Sequence, residues 1–186
     1  MAVVQITCHL LKTGDKNMNK PFVAILMGSD SDLPTVETAF VILKKFSIPY
    51  EVKVTSAHRT PRATAEFVED ADKRGCAVFI CAAGMAAHLA GAVAAMTLRP
   101  VIGLPIDTCL GGMDAMLSTV QMPAGIPVAT VAIGKAGAKN AAYLATQILA
   151  VNDGALYLKL IREREEGARS VLAKDAVVQE KIANRT

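Results

Sequence analysis

Tryptophan is absent from this 186-residue chain, and three tyrosines and five phenylalanines bring the aromatics to only 4%. A surface that stacks nucleobases needs aromatic rings interleaved with a basic patch. Here the net charge is only +3 and the Lys and Arg residues are scattered, so nucleic acid is excluded as a partner. Cysteine is sparse too. Cys8, Cys76, Cys81 and Cys109 show neither a CxxC pair nor zinc-ligand spacing, which argues against a disulfide framework or a zinc site. They read as reduced, small apolar residues of a cytoplasmic protein. No apolar run approaches the ~20 residues of a membrane span. Val3–Leu11 lacks both the cationic start and the small-residue cleavage site of a signal peptide.

What is abundant is small apolar residues. The hydrophobic fraction is 52% and the mean hydropathy +0.36, carried by Ala, Val, Ile and Gly. A chain of this length buries roughly 70% of its unfolded surface. Apolar content beyond that need points to covered subunit faces, so a homo-oligomer is expected. Residues 1–20 read as an N-terminal extension, with Met18-Asn19-Lys20-Pro21 resembling a start just ahead of the first strand. Residues 21–186 then form one α/β domain.

Phe22–Met27 is a continuous apolar run, as in a strand buried on both faces. Leu33, Val36, Phe40 and Leu43 follow at helical spacing, with Asp32 at the N-cap and Pro34 in the first turn. Tyr50–Thr55 reads as a strand, and Thr60-Pro61 opens a helix ending near Gly75. Cys76–Ala82, Pro100–Leu104 and Pro127–Ile133 supply three more strands. Helices are expected over Ala86–Thr97, Met113–Val120 and Ala136–Ala150, and a long charged one over 155–181. Five strands alternating with helices define a doubly wound parallel sheet of three layers, for which a flavodoxin-like arrangement is natural. Right-handed crossovers bring every strand-to-helix loop to one edge, where ligands of open α/β sheets bind.

Three of those loops carry chemistry. In Gly28-Ser29-Asp30-Ser31-Asp32, two hydroxyls and the amides of a helix start suit an anion, and Gly28 permits close approach. Asp32 does not attract phosphate; it caps the helix or binds sugar hydroxyls. An ordinary turn with an N-cap accounts for this loop equally well when it stands alone. In Ser56-Ala57-His58-Arg59-Thr60-Pro61 an imidazole able to give and take a proton near neutrality stands beside a permanent guanidinium charge suited to phosphate. Ala82–Gly91 combines small residues and the glycines Gly84 and Gly91 with His88, either a second proton carrier, a substrate-orienting group or a buried histidine bonded to backbone. The glycine-rich stretch 111–125 fits a lid or subunit contact, and Asp114 fits a helix cap. Lys135, Lys139 and Asn140 fit either anion steering or a solvated helix face. The set points to an enzyme acting on a small phosphorylated molecule without a metal site.

The motifs GSDSD (28–32), SAHRTP (56–61), AGMAAHLAG (83–91), RPVIGLPI (99–106) and LSTVQMPAGIPVATVAIGKAGAKNAA (117–142) occur in order. In them the chain resembles the class I N5-carboxyaminoimidazole ribonucleotide mutases, the PurE family of purine biosynthesis, from about Phe22 to Ala150. The resemblance implies a cofactor-free, metal-free isomerase that moves a carboxylate from nitrogen to ring carbon, built as a cytoplasmic octamer of flavodoxin-like subunits with sites at subunit junctions. It implies that His58 is the general acid/base and that His88 holds the carboxylate region. It assigns Ser29, Asp32 and Arg59 to the nucleotide, with Ser31 and Ser56 assisting, and Gly84 to the backbone wall near the base. Two departures fall in one loop: Met85 stands where the family usually has Gly, and Ala90 where it has Pro. A related class II carboxylase, which takes carbon dioxide directly, tends to have Lys at the position of Arg59 and Ser-Asn near 87–88. Arg59 and Ala87-His88 favour class I.

Overall fold

The computed structural model describes residues 20–184; most of the 1–20 extension, with Cys8 and His9, lies outside them. Five strands form one parallel sheet in the order β2-β1-β3-β4-β5: β1 Phe22–Met27, β2 Tyr50–Val54, β3 Cys76–Ala83, β4 Val101–Pro105 and β5 Ala129–Thr130. Between and after them run α1 Leu33–Lys45, α2 Pro61–Lys73, α3 Leu89–Ala94, α4 Met113–Val120, α5 Gly134–Ala150 and α6 Gly154–Ala183. This is the expected α/β, flavodoxin-like, doubly wound sheet with a long C-terminal helix.

The layers follow from side-chain alternation along the central strands. Val23, Ile25 and Met27 of β1, with Val78 and Ile80 of β3, face α1 and α5, where Val36, Leu43, Ala141 and Ala145 meet them. Ala24 and Leu26, with Phe79 and Cys81, face α2 and α3, where Val68, Leu89 and Val93 pack. Both faces of β1 and β3 are covered, which is why their sequences are apolar throughout rather than alternating. Edge strand β2 does alternate, and its Val52 and Val54 remain exposed.

Three elements differ from expectation. Pro127–Ile133 contributes only the two residues Ala129–Thr130, which pair with Ile102 and Gly103. Val128 and Val131 pack half-buried against the core, while Pro127, Ala129 and Ala132 are exposed. The helix expected over Ala86–Thr97 is confined to Leu89–Ala94, because the backbone at its front is folded into tight turns described below. Asp32 precedes α1 without capping it through its side chain. A short 3-10 turn over Asp30–Asp32 intervenes, and Asp32 closes that turn instead.

The start of α6 packs against α5. Leu156 and Leu160 bury there, and the Glu163 carboxylate accepts a hydrogen bond from the Tyr143 hydroxyl at 2.9 Å and pairs with Lys45. Lys45 first, then Tyr143, holds the Glu163 carboxyl below its ordinary value. Beyond that anchor α6 leaves the body of the protein: Val171, Leu172, Val177 and Ile182 are exposed.

Candidate active site

The strand order reverses direction between β1 and β3, because β2 lies on one side of β1 and everything after β3 on the other. The loops leaving β1 and β3 therefore diverge to opposite faces and open a crevice at the C-terminal edge. That edge is stapled by backbone bonds. Thr55 N–H donates to Met27 O at 2.9 Å, Gly28 N–H to Ala82 O at 3.0 Å, and Ile106 N–H to Ala83 O at 2.9 Å. Four strand exits are thus held in fixed register beneath the loops.

The first loop is a capping box in miniature. The Ser29 hydroxyl oxygen accepts from Ser31 N–H at 3.3 Å, and Asp32 Oδ2 accepts from Ser29 N–H at 3.1 Å. The Ser31 hydroxyl donates to that of Ser29 at 2.8 Å. Asp32 is 6% exposed, and burial raises its carboxyl above the usual 3.8. Gly28 keeps ordinary backbone geometry, and a Cβ there would meet nothing closer than 3.8 Å. Its contribution is open space rather than an unusual dihedral.

The second loop is a five-residue turn from Ser56 to Thr60, with His58 in its middle. Thr60 N–H donates to Ser56 O at 2.8 Å, and Arg59 N–H to the Ser56 hydroxyl at 3.1 Å. His58 and Arg59 project into solvent, and among the described residues the Arg59 guanidinium has no ion-pair partner. It remains available for an anion.

The third loop explains the shortened α3. A Cβ on Gly84 would come within 2.6 Å of Thr108 Cγ2, so any larger residue there would have to push the Thr108 side chain aside. Met85 then takes φ +55°, in the left-handed region, and His88 N–H turns back to Ala86 O at 2.9 Å. Met85 thus holds a backbone conformation that favours glycine. Left-handed geometry costs an L-residue about 1–2 kcal/mol, most for a β-branched one. Met85→Gly is therefore expected to melt no lower than the wild type, and Met85→Val to fall below it. Equal denaturation midpoints for the two variants would count against this geometry. Ala90, by contrast, is buried in the first turn of α3, where proline is sterically acceptable.

These turns bring together two histidines 30 residues apart. His58 Nε2 lies 2.9 Å from His88 Nδ1, with the rings edge-to-face at 89° and their centres 5.0 Å apart. One nitrogen must donate and the other accept, so the two rings share one proton along this line. Both are exposed. Asp114 lies in the first turn of α4 rather than at its cap, which is Gly112, and Lys135, Lys139 and Asn140 are exposed at the start of α5. Reading the sequence loop by loop missed the buried threonines under the second loop. The recurrence of Thr at 55, 60 and 64 was the available signal.

Fold and crevice together define an α/β enzyme-type scaffold whose loop edge carries an exposed guanidinium and a hydrogen-bonded pair of histidines. Comparison with known proteins makes this specific. The family model described as AIR carboxylase matches residues 22–170, and the chain belongs to that family, the PurE family. It is 53% identical over 154 residues to the N5-carboxyaminoimidazole ribonucleotide mutase of Bacillus subtilis, covering 82% of this chain and 95% of that one. It is 50% identical over 158 residues to the mutase of Methanocaldococcus jannaschii, covering 85% and 98%. The crystal structure of Treponema denticola PurE superposes with a TM-score of 0.76 at 30% identity, over 84% of this chain and 98% of that one.

Proposed function

We propose that this protein is a 5-(carboxyamino)imidazole ribonucleotide mutase of purine biosynthesis, with His58 as its general acid/base. The observation that carries this is the 2.9 Å contact between His58 and His88 on the crevice edge, flanked by the unpaired Arg59. Relatives at about half identity bearing the mutase name support it.

In this mechanism Arg59, Ser29, Ser31 and Ser56 hold the phosphate end, Asp32 meets sugar hydroxyls, and the Gly84 backbone lies against the base. The bond between nitrogen and carboxylate breaks and carbon dioxide departs. The electron pair passes into the ring, and His58 delivers a proton to the ring carbon. As that carbon attacks the retained carbon dioxide it gives one proton back to His58, and its remaining proton passes to the exocyclic nitrogen, which leaves the amine and the new carboxylate on the ring. A single imidazole serves both steps because each undoes the other's proton transfer. Retention of carbon dioxide needs proximity and exclusion of water. His88, bonded to His58, orients the carboxylate.

The same reading takes residues 21–186 as the working domain, in keeping with a family match beginning at Phe22, and residues 1–20 as an extension. It makes the protein a cytoplasmic homo-octamer with sites completed between subunits. The exposed apolar residues of α6 and of edge strand β2 support burial between subunits. The unreactive character of Cys76, whose thiol burial pushes up to about 11, suits a reduced protein.

The test is incubation of the full chain with N5-carboxyaminoimidazole ribonucleotide, without ATP, metal or added bicarbonate. Formation of 4-carboxy-5-aminoimidazole ribonucleotide is expected. Turnover only with bicarbonate and aminoimidazole ribonucleotide would replace this reading with the class II carboxylase. Binding without turnover would leave a nucleotide-binding module.

A further inference from the structure

Five polar side chains are buried among the described residues: Asp32, Thr55, Thr64, Thr119 and Thr146. A buried hydroxyl costs stability unless it is bonded, so each needs a reason to be there. Thr146 bonds back along its own helix, donating to Ala142 O at 2.7 Å. Thr119 does the same to Ala115 O at 2.7 Å, with a longer contact of 3.3 Å to Ala87 O. Thr55 and Thr64 differ: their shortest bond is to each other, and it leads to the turn that carries His58.

Thr64 Oγ1 is fully buried on α2, and lies 2.8 Å from Thr55 Oγ1 at the end of β2. Thr55 Oγ1 in turn lies 3.1 Å from Thr60 Oγ1. Thr60 Oγ1 accepts from Ser56 N–H at 2.9 Å and is 3.1 Å from Ser56 O. Thr64 Oγ1 also reaches Thr60 O at 3.1 Å. The three hydroxyl protons can be placed with none left over. Thr64 donates to Thr55, Thr55 to Thr60 and Thr60 to Ser56 O; or Thr64 donates to Thr60 O and Thr55 to Thr64. In either arrangement Thr60, which closes the turn onto Ser56, is tied to the helix, and in the first to the strand end as well. The residue suspended between Ser56 and Thr60 is His58.

We propose that Thr64, with Thr55 and Thr60, is a positioning residue for His58, holding the exposed imidazole at its working place from beneath. The side chains of Thr55 and Thr64 are sealed in the core, so neither meets substrate. A solvent-exposed turn held only by its own short-range bonds samples several conformations. A misplacement of about 1 Å in a proton-transfer group costs up to ~10²-fold in rate. Anchoring the turn through hydroxyls, rather than through apolar packing, fixes direction as well as distance.

This inference rests on His58 as acid/base, and the experiment separates the two. Thr64→Val keeps the shape and removes the hydroxyl; Thr64→Ser restores it. Steady-state kinetics of the full chain with N5-carboxyaminoimidazole ribonucleotide should show kcat lowered ~10-fold in Thr64→Val, KM within about twofold of wild type, and kcat in Thr64→Ser within about threefold. A wild-type kcat in Thr64→Val, with only its melting temperature reduced, overturns the proposal and leaves the hydroxyl a structural role. Should Thr64→Val fail to fold, Thr55→Val reads the same connection from the strand side, and an undiminished kcat there is equally fatal. A fully active His58→Asn overturns the reading beneath and the proposal together. An inactive His58→Asn beside an unaffected Thr64→Val overturns the proposal alone.

Discussion

Replacing His58 with asparagine is expected to lower turnover at least ~10²-fold, the usual worth of a general acid/base, and to leave nucleotide binding and the melting temperature close to wild type. The reason for both halves is where His58 sits. It is exposed at the middle of a turn whose closure depends on Ser56 and Thr60, so nothing in the core relies on it. An asparagine amide ends near the position of the imidazole Nδ1, so it gives up the 2.9 Å contact that His58 Nε2 makes with His88 Nδ1 without disturbing the closure of the turn. It has no ionisable proton to deliver. Isothermal titration with the product nucleotide, run beside the turnover assay, distinguishes the outcomes. Lost turnover with retained binding supports the assignment. Retained turnover sinks it, and His88, the other half of the pair, then becomes the group to replace.

The largest effect on stability is expected at Gly137. This glycine lies in the first turn of α5, against the chain that leaves β5. A Cβ placed on it falls 1.5 Å from the carbonyl oxygen of Ala132 and 2.9 Å from Leu104 Cδ1. The first of these is backbone and cannot swing aside. To admit the methyl group, α5 must lift from the sheet, taking with it the buried Ala138, Ala141, Ala142 and Ala145. Gly137→Ala is expected to cost about 3 kcal/mol or more, at or beyond the upper end for overpacking. Gly167, in the middle of α6, has nothing within 4 Å of the same position. There the identical substitution is expected to gain up to about 1 kcal/mol through helix propensity. Urea denaturation of the two variants reads both. Equal midpoints would mean that α5 does not press on Ala132 as described.

Much of this arrangement is visible in the chain before it folds. Phe22–Met27 and Cys76–Ala82 are apolar at every position, which only a strand covered on both faces tolerates. The helices between them carry the 3.6-residue period. From these, the parallel sheet and the gathering of Ser29, His58 and His88 on one edge follow by the handedness of crossovers alone. Asp32 stands at the expected position ahead of α1, but its carboxylate accepts from Ser29 N–H instead of capping that helix. Residue spacing does not tell whether a carboxylate caps the helix after it or the 3-10 turn that contains it.

Loop identity and chemistry are local properties, written in short runs such as Ser56–Pro61, and they survive being read one run at a time. Strand order, the late start of α3 at Leu89 and the two-residue reach of β5 are not local. They depend on which faces pack together and on where Gly84 meets Thr108. The same holds for the site's central contact. His58 and His88 lie thirty residues apart, and no pattern in either loop states that their nitrogens meet at 2.9 Å. Nor does the chain alone reveal that three threonine hydroxyls close a path beneath His58, because a hydrogen-bond network exists only once a strand end, a turn and a helix have been packed against one another.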